Sequence, residues 1–353
     1  MSQRWTRLAT LLAGAALVAT VAAGKAETAS AADYEFKLHH FLGPTSPAHA
    51  KMLEPWAQRV EEASGGRVEI ELYPSMSLGG KPPELIRQVR DGVVDIVWTV
   101  NGYTAGLFPR SEVFELPFVH VNDTAATNLA MDEMFDEYLA EEYEGLKVLF
   151  LHVHAGQAIH MVDEPVRQAS DLEGKKIRIP TRTGAWVLEA LGANPVGMPV
   201  PELPQALSKK VVDGALIPWE IIPALKLQDL TGYQIEGPDK ARLGTTTFQV
   251  SMNLDKWNSL PADIQAVFEQ ESGRDWLVEV GNLWRDNDDG GIAIATKAGN
   301  EHIVLTEEQW DGFRAALEPV VKRWEDEVAS KDIDGAAMVE RARHLIQKNA
   351  SAN

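Results

Sequence analysis

The sequence predicts an α/β protein built from two units, and three observations carry that reading. Strand-like runs alternate with amphipathic helical stripes, the alternation starts afresh after residues 147–151, and the last third of the chain is almost wholly helical. In the first unit, 34–38 reads as a strand, and Leu53, Trp56, Ala57, Val60 and Ala63 recur at helical spacing up to the stop Gly65-Gly66. Residues 68–72 form the next strand. Pro82-Pro83 opens a helix carrying Leu85, Ile86 and Val89, which Gly92 closes, and 93–97 is a buried strand. In the second unit, strands at 147–151, 176–179 and 214–217 enclose helices at 181–191 and 201–210, and a further strand follows at 246–252. Beyond it run two apolar stripes, one from Ile264 through Phe268 and Trp276 to Trp284, the other from Trp310 through Leu317 to Val328.

Composition narrows the partners. The 353 residues carry 33 Lys and Arg against 52 Asp and Glu, a formal charge of -19, which disfavours nucleic acid or an anionic membrane as a partner. There is no cysteine, so disulfides, Cys-based zinc sites, iron–sulfur clusters and thiol nucleophiles are excluded together. Arg4 and Arg7 precede an apolar run over 8–23, followed by Ala29-Ser30-Ala31, the pattern of a cleaved secretory leader over residues 1–31. No later segment approaches transmembrane length, so no membrane insertion is expected.

Local catalytic signatures are missing: no Gly-x-Ser-x-Gly elbow, Walker P-loop or Gly-x-Gly-x-x-Gly occurs. His152 and His154 alternate on a predicted strand with His160 nearby, which admits a metal site, although histidines satisfied by hydrogen bonds near a strand end are the plainer reading. The acidic run beginning Asp286-Asn287-Asp288-Asp289 superficially suggests a calcium loop, but Lys297 stands where the bidentate Glu belongs, and a solvated helix terminus is expected instead. Arg178 sits on a short strand just before Pro180-Thr181 opens a helix. A guanidinium there is placed to meet a carboxylate, with the helix N-terminus assisting.

The stretch Asp171-Leu172-Glu173-Gly174-Lys175-Lys176-Ile177-Arg178-Ile179-Pro180, then Leu191-Gly192-Ala193-Asn194-Pro195, then Val212-Asp213-Gly214, resembles the substrate-binding proteins of TRAP transporters. Leu72-Tyr73-Pro74, Phe114-Glu115-Leu116-Pro117-Phe118 and the segment 253–261 follow in the order of that family, so the resemblance spans the chain beyond its leader. It implies a two-lobed periplasmic binding protein with crossing strands and a long lobe-spanning helix. Lobe one is expected over 32–155 plus about 245–280, and lobe two over 156–244 plus about 281–345. It further implies that Arg178 pairs with the ligand carboxylate, that Phe41, Trp98, Tyr103 and Phe248 line the cleft with Trp219 close by, and that Asn101 and Thr181 act as polar fixing groups. Two departures stand out. Ile217 occupies the position where many members place an Asn, and Gln157 and Ala158 occupy the region of a second Arg. Both remove polar contacts for a second acidic group.

The expected function is therefore capture of a small organic acid, a monocarboxylate with an apolar or aromatic body, and its delivery to TRAP membrane permease subunits by hinge closure, without catalysis, metal or cofactor. Two rivals remain at this stage: a small cation in a cage of Trp98, Tyr103, Trp219 and Phe248 with Glu220 as counter-charge, and a secreted metalloenzyme using His152 and His154.

Overall fold

The computed structural model describes residues 32–351, and the expected leader lies outside the described residues. In chain order the first part comprises β1 (Tyr34–His40), α1 (Glu54–Ala63), β2 (Val68–Tyr73), α2 (Leu85–Arg90), β3 (Ile96–Val100), α3 (Thr124–Met134) and β4 (Leu146–Val153). There follow β5 (Ala158–Met161), β6 (Lys176–Ile179), α4 (Arg182–Ala190), β7 (Asn194–Gly197), α5 (Leu203–Ser208), β8 (Gly214–Ile217), α6 (Ile222–Leu225) and β9 (Tyr233–Glu236). The remainder is β10 (Thr247–Asn253), α7 (Leu254–Asn258), α8 (Ala262–Glu271), α9 (Arg274–Lys297), β11 (Glu301–Val304), α10 (Glu307–Ala329) and α11 (Gly335–Ala350).

These strands make two sheets. The first has the order β2-β1-β3-β10-β4, with β1 parallel to β2 and β3, and β10 antiparallel to both its neighbours. The second has the order β11-β9-β5-β8-β6-β7, in which β5 alone runs against both its neighbours. Because β10 returns to the first sheet after five strands of the second, the chain must cross between sheets, and the crossing segments hydrogen-bond to each other. Gln157 N–H donates to Gly244 O at 2.8 Å, and Leu243 N–H donates to Gln157 O at 3.0 Å. The resulting short ladder ties the two crossings side by side.

The long helix does the same over a greater distance. With 24 residues α9 spans about 36 Å, packing on α3 and β4 at the first sheet and on the Trp219–Ile221 turn, α6 and β11 at the second. Two glycines let it sit this close: a Cβ at Gly281 would lie 2.4 Å from the Ala125 backbone, and one at Gly291 would lie 2.0 Å from the Trp219 carbonyl oxygen. The apolar stripe read from Ile264 to Trp284 is broken by Ser272-Gly273, which separates α8 from α9.

Three expectations change. The strand expected over 93–97 is displaced to Ile96–Val100, because α2 ends in a turn that leaves Val93 62% exposed. The acidic run from Asp286 is no helix terminus but the middle of α9, where buried Asp288 accepts from Arg242 at 2.7 Å and from the Trp219 N–H at 3.1 Å. His154 lies beyond the end of β4, so it does not share a strand face with His152.

Candidate functional site

A cavity opens where the ends of the two sheets meet α9. From the first sheet come Trp98 and Val100 on alternate positions of β3, Phe248 on β10, and Phe41 and Leu42 just past β1. Register explains the clustering: Phe248 lies opposite both Val100 and His152, so the faces of β3, β10 and β4 bring rings side by side. Phe41 stacks on Trp98 with centroids 4.8 Å apart, and Trp98 stacks on Phe248 at 5.3 Å and 2°. The column continues behind them through His152 to Trp284 of α9. Trp98 Nε1–H donates to His152 Nε2 at 2.9 Å, and burial holds that imidazole down at about 3, so it is neutral.

The second sheet supplies the polar end. Arg178 on β6 is 2% exposed, yet among the described residues no carboxylate lies within ion-pair distance of it. Its Nε donates to Met198 O at 3.0 Å and its Nη1 to Leu216 O at 3.2 Å, which fixes the guanidinium without neutralising it. Burial pushes its pKa down from the ordinary arginine value, opposed by the neighbouring Tyr103 hydroxyl. That hydroxyl reaches across from the first-sheet side and accepts the Val200 N–H at 2.9 Å. Tyr103 is thus a link between the two halves as well as a wall of the cavity.

Six of the nine residues singled out in the sequence line this cavity: Phe41, Trp98, Tyr103, Arg178, Ile217 and Phe248. Three do not. Asn101 is turned into the core, donating to Tyr143 Oη at 2.8 Å and accepting from Gln249 Nε2 at 2.7 Å. Thr181 caps α4, its hydroxyl taking the Gly184 N–H, and the carboxylates that meet the start of this helix are the chain's own: Glu112 on Arg182 and Glu115 on Thr183. Trp219 is fully buried behind the wall, packed edge-on against His160 and His302 and donating to Glu236. Its removal opens the cation cage on one side, and the unpaired Arg178 puts a like charge in the same space.

His154, Gln157, Val200, Glu220, Thr246 and Trp284 also line the cavity. Trp284 had only the period of its helix to mark it, which is equally the mark of a core residue. The histidines that suggested a metal site are separately engaged, His160 Nε2 with Ile217 O at 3.0 Å and His154 with Gly156 N–H and Gln157. Among the described residues no cluster of three possible ligands exists, and no helix is long and apolar enough to cross a membrane.

Two α/β lobes joined by paired crossings and a shared helix, with one buried cation facing an aromatic wall, are the anatomy of a solute receptor that closes on its ligand. Residues 38–327 match the family described as bacterial extracellular solute-binding protein, family 7, and the chain belongs to that family. It is similar to a marine metagenome TRAP solute-binding protein specific for aromatic acid ligands, solved with metahydroxyphenylacetate: 40% identity, 90% of this chain and 99% of that chain, TM-score 0.87. A Rhodoferax ferrireducens TRAP solute-binding protein with copurified benzoate is 37% identical over 90% and 99% of the two chains, with TM-score 0.87. One from Bordetella bronchiseptica, with bound mandelate, is 28% identical over 89% and 99%, with TM-score 0.82. The protein is accordingly a solute-binding receptor of the TRAP transport type, and not an enzyme.

Proposed function

We propose that this receptor captures an aromatic monocarboxylate, holding the carboxylate on Arg178 and the Tyr103 hydroxyl and the ring against Phe41, Trp98 and Phe248. The observation that carries this reading is the fully buried guanidinium without a counter-carboxylate at one side of a stacked aromatic wall. A buried unpaired charge costs several kcal/mol, and a ligand carboxylate supplies the missing partner. The ligands of the 40% and 37% identical relatives support the same class. A second carboxylate finds no second cation: Arg178 is the one permanent cation on the lining, and Ile217 offers no hydrogen bond. An aromatic contact worth about 0.5 to 1.5 kcal/mol does not offset that loss.

In this reading the leader over 1–31 sends the chain to the periplasm, and the lobes, 32–155 plus about 245–280 and 156–244 plus about 281–345, close as near-rigid bodies. The packing of α11 on α3 favours assigning the end of the chain to the first lobe instead. The closed form is what the permease recognises.

Calorimetry with benzoate and succinate tests the reading. Benzoate is expected to bind and succinate to bind far more weakly. Arg178→Ala and Arg178→Lys should each cost about 2 to 5 kcal/mol of benzoate binding with little change in thermal stability, since Lys keeps the charge without the planar fork. Wild-type affinity in either variant, or tighter binding of succinate, overturns the assignment.

A further inference from the structure

Beyond Arg178, the cavity carries polar groups that the carboxylate reading leaves idle. Three residues on its lining hold a buried side-chain atom with no hydrogen-bond partner: Glu220 Oε2, Gln157 Oε1 and Trp284 Nε1. Glu220 is 4% exposed, Gln157 4% and Trp284 2%, so water outside the cavity does not serve them. A buried polar group left unsatisfied costs roughly 1 to 3 kcal/mol in general. Gln157 uses its amide nitrogen on Thr246 Oγ1 at 2.7 Å, which leaves the oxygen over. Glu220 makes no ion pair with any cation among the described residues, Arg178 included, although both line the same space.

We infer that Glu220 is the recognition group for a hydroxyl on the ligand ring, so that the preferred solute is a hydroxylated aromatic acid held by its carboxylate on Arg178 and its hydroxyl on Glu220. This rests on the proposed function above. The chemical state of Glu220 suits the role. Burial, reinforced by the Asp288 carboxylate of α9, pushes its pKa well above the ordinary carboxyl range, with Arg242 of the crossing segment opposing. A neutral carboxylic acid both donates and accepts, as a hydroxyl does. A neutral Glu220 offers neither a second carboxylate nor a ligand ammonium an opposite charge, so an uncharged hydroxyl is the substituent it suits. Gln157 Oε1 and Trp284 N–H stand as further acceptor and donor on the same lining.

The test compares benzoate with 2-, 3- and 4-hydroxybenzoate by calorimetry in wild type, Glu220→Gln and Glu220→Leu. In wild type at least one hydroxybenzoate should bind about tenfold more tightly than benzoate, the worth of a hydrogen bond to an otherwise unsatisfied buried group. Glu220→Gln keeps a donor and an acceptor and should keep that preference. Glu220→Leu should abolish it. Retention of the preference in the Leu variant, or its loss in the Gln variant, overturns the inference. So does wild-type protein that binds benzoate at least as tightly as every hydroxybenzoate. Failure of wild type to bind any of the four acids would instead remove the aromatic-acid reading, and this inference with it.

Discussion

Arg178 and Glu115 are both buried ionisable groups, yet the chain treats them oppositely. Arg178 is held by two backbone carbonyls, with no carboxylate among the described residues to compensate it. Glu115 is saturated from within: Thr183 Oγ1 donates to it at 2.6 Å, and Thr247 donates both its N–H at 3.0 Å and its hydroxyl at 2.8 Å. Burial nevertheless outweighs these bonds, and with Glu112 nearby it raises the Glu115 pKa from 4.5 to about 7. A carboxyl whose pKa is raised on folding contributes stability that is complete below its unfolded value and is lost as pH climbs through the folded one. The window here runs from 4.5 to about 7. Glu115→Gln should therefore gain stability relative to wild type between pH 5 and pH 8, by on the order of 3 kcal/mol. Paired urea titrations at the two pH values cancel the other titrating groups, and a difference that does not change with pH would refute the assignment. Which side chains face the cavity was only partly legible. Asn101 and Thr181 stand within three residues of the lining residues Tyr103 and Arg178, and a side chain's direction depends on turns that no spacing rule resolves.

The crossing segments decide how the elements are joined. Gly244 has φ of +89°, and a Cβ there would meet the Glu115 carbonyl oxygen at 2.4 Å, a backbone atom that has no room to retreat. Gly299 has a similar φ of +94° with open space around it. Both replacements by Ala carry the backbone strain, roughly 1 to 3 kcal/mol, but only the first adds a collision at the junction of the lobes. Gly244→Ala should lower the melting temperature by several degrees more than Gly299→Ala, read by differential scanning calorimetry, and equal losses would show that the crossing tolerates displacement. The longer elements were legible from their periodicity, notably α10 and the strands β1 and β2, and the short β6 and β8 from the motifs around them. The strands β5, β7, β9 and β11 were not, because four residues are too few to display a period and β7 contains Pro195.

For the molecule as a unit, the contacts that bridge the proposed lobes include the Val200 N–H to the Tyr103 hydroxyl, Arg182 to Glu112, and the Thr183 hydroxyl to Glu115. Opening must break them, while the paired crossings and α9 restrict the motion to a hinge. Small-angle scattering should accordingly show a smaller radius of gyration with saturating benzoate than without it. An unchanged profile at saturation would mean that the receptor binds without closing.

The order of motifs around Asp171–Pro180 and Val212–Gly214, with the absence of cysteine and the acidic charge, was enough to identify the family and the fold and to single out Arg178 as a candidate, since these are local patterns or sums over the chain. The burial of Arg178 without a counter-charge, the stacking of Phe41, Trp98 and Phe248, and the unpartnered Glu220 oxygen are relations between residues far apart in sequence. They arise only when β6, β10 and α9 are brought to one place. Whether a polar atom is satisfied depends on everything around it, and that is settled by packing in three dimensions.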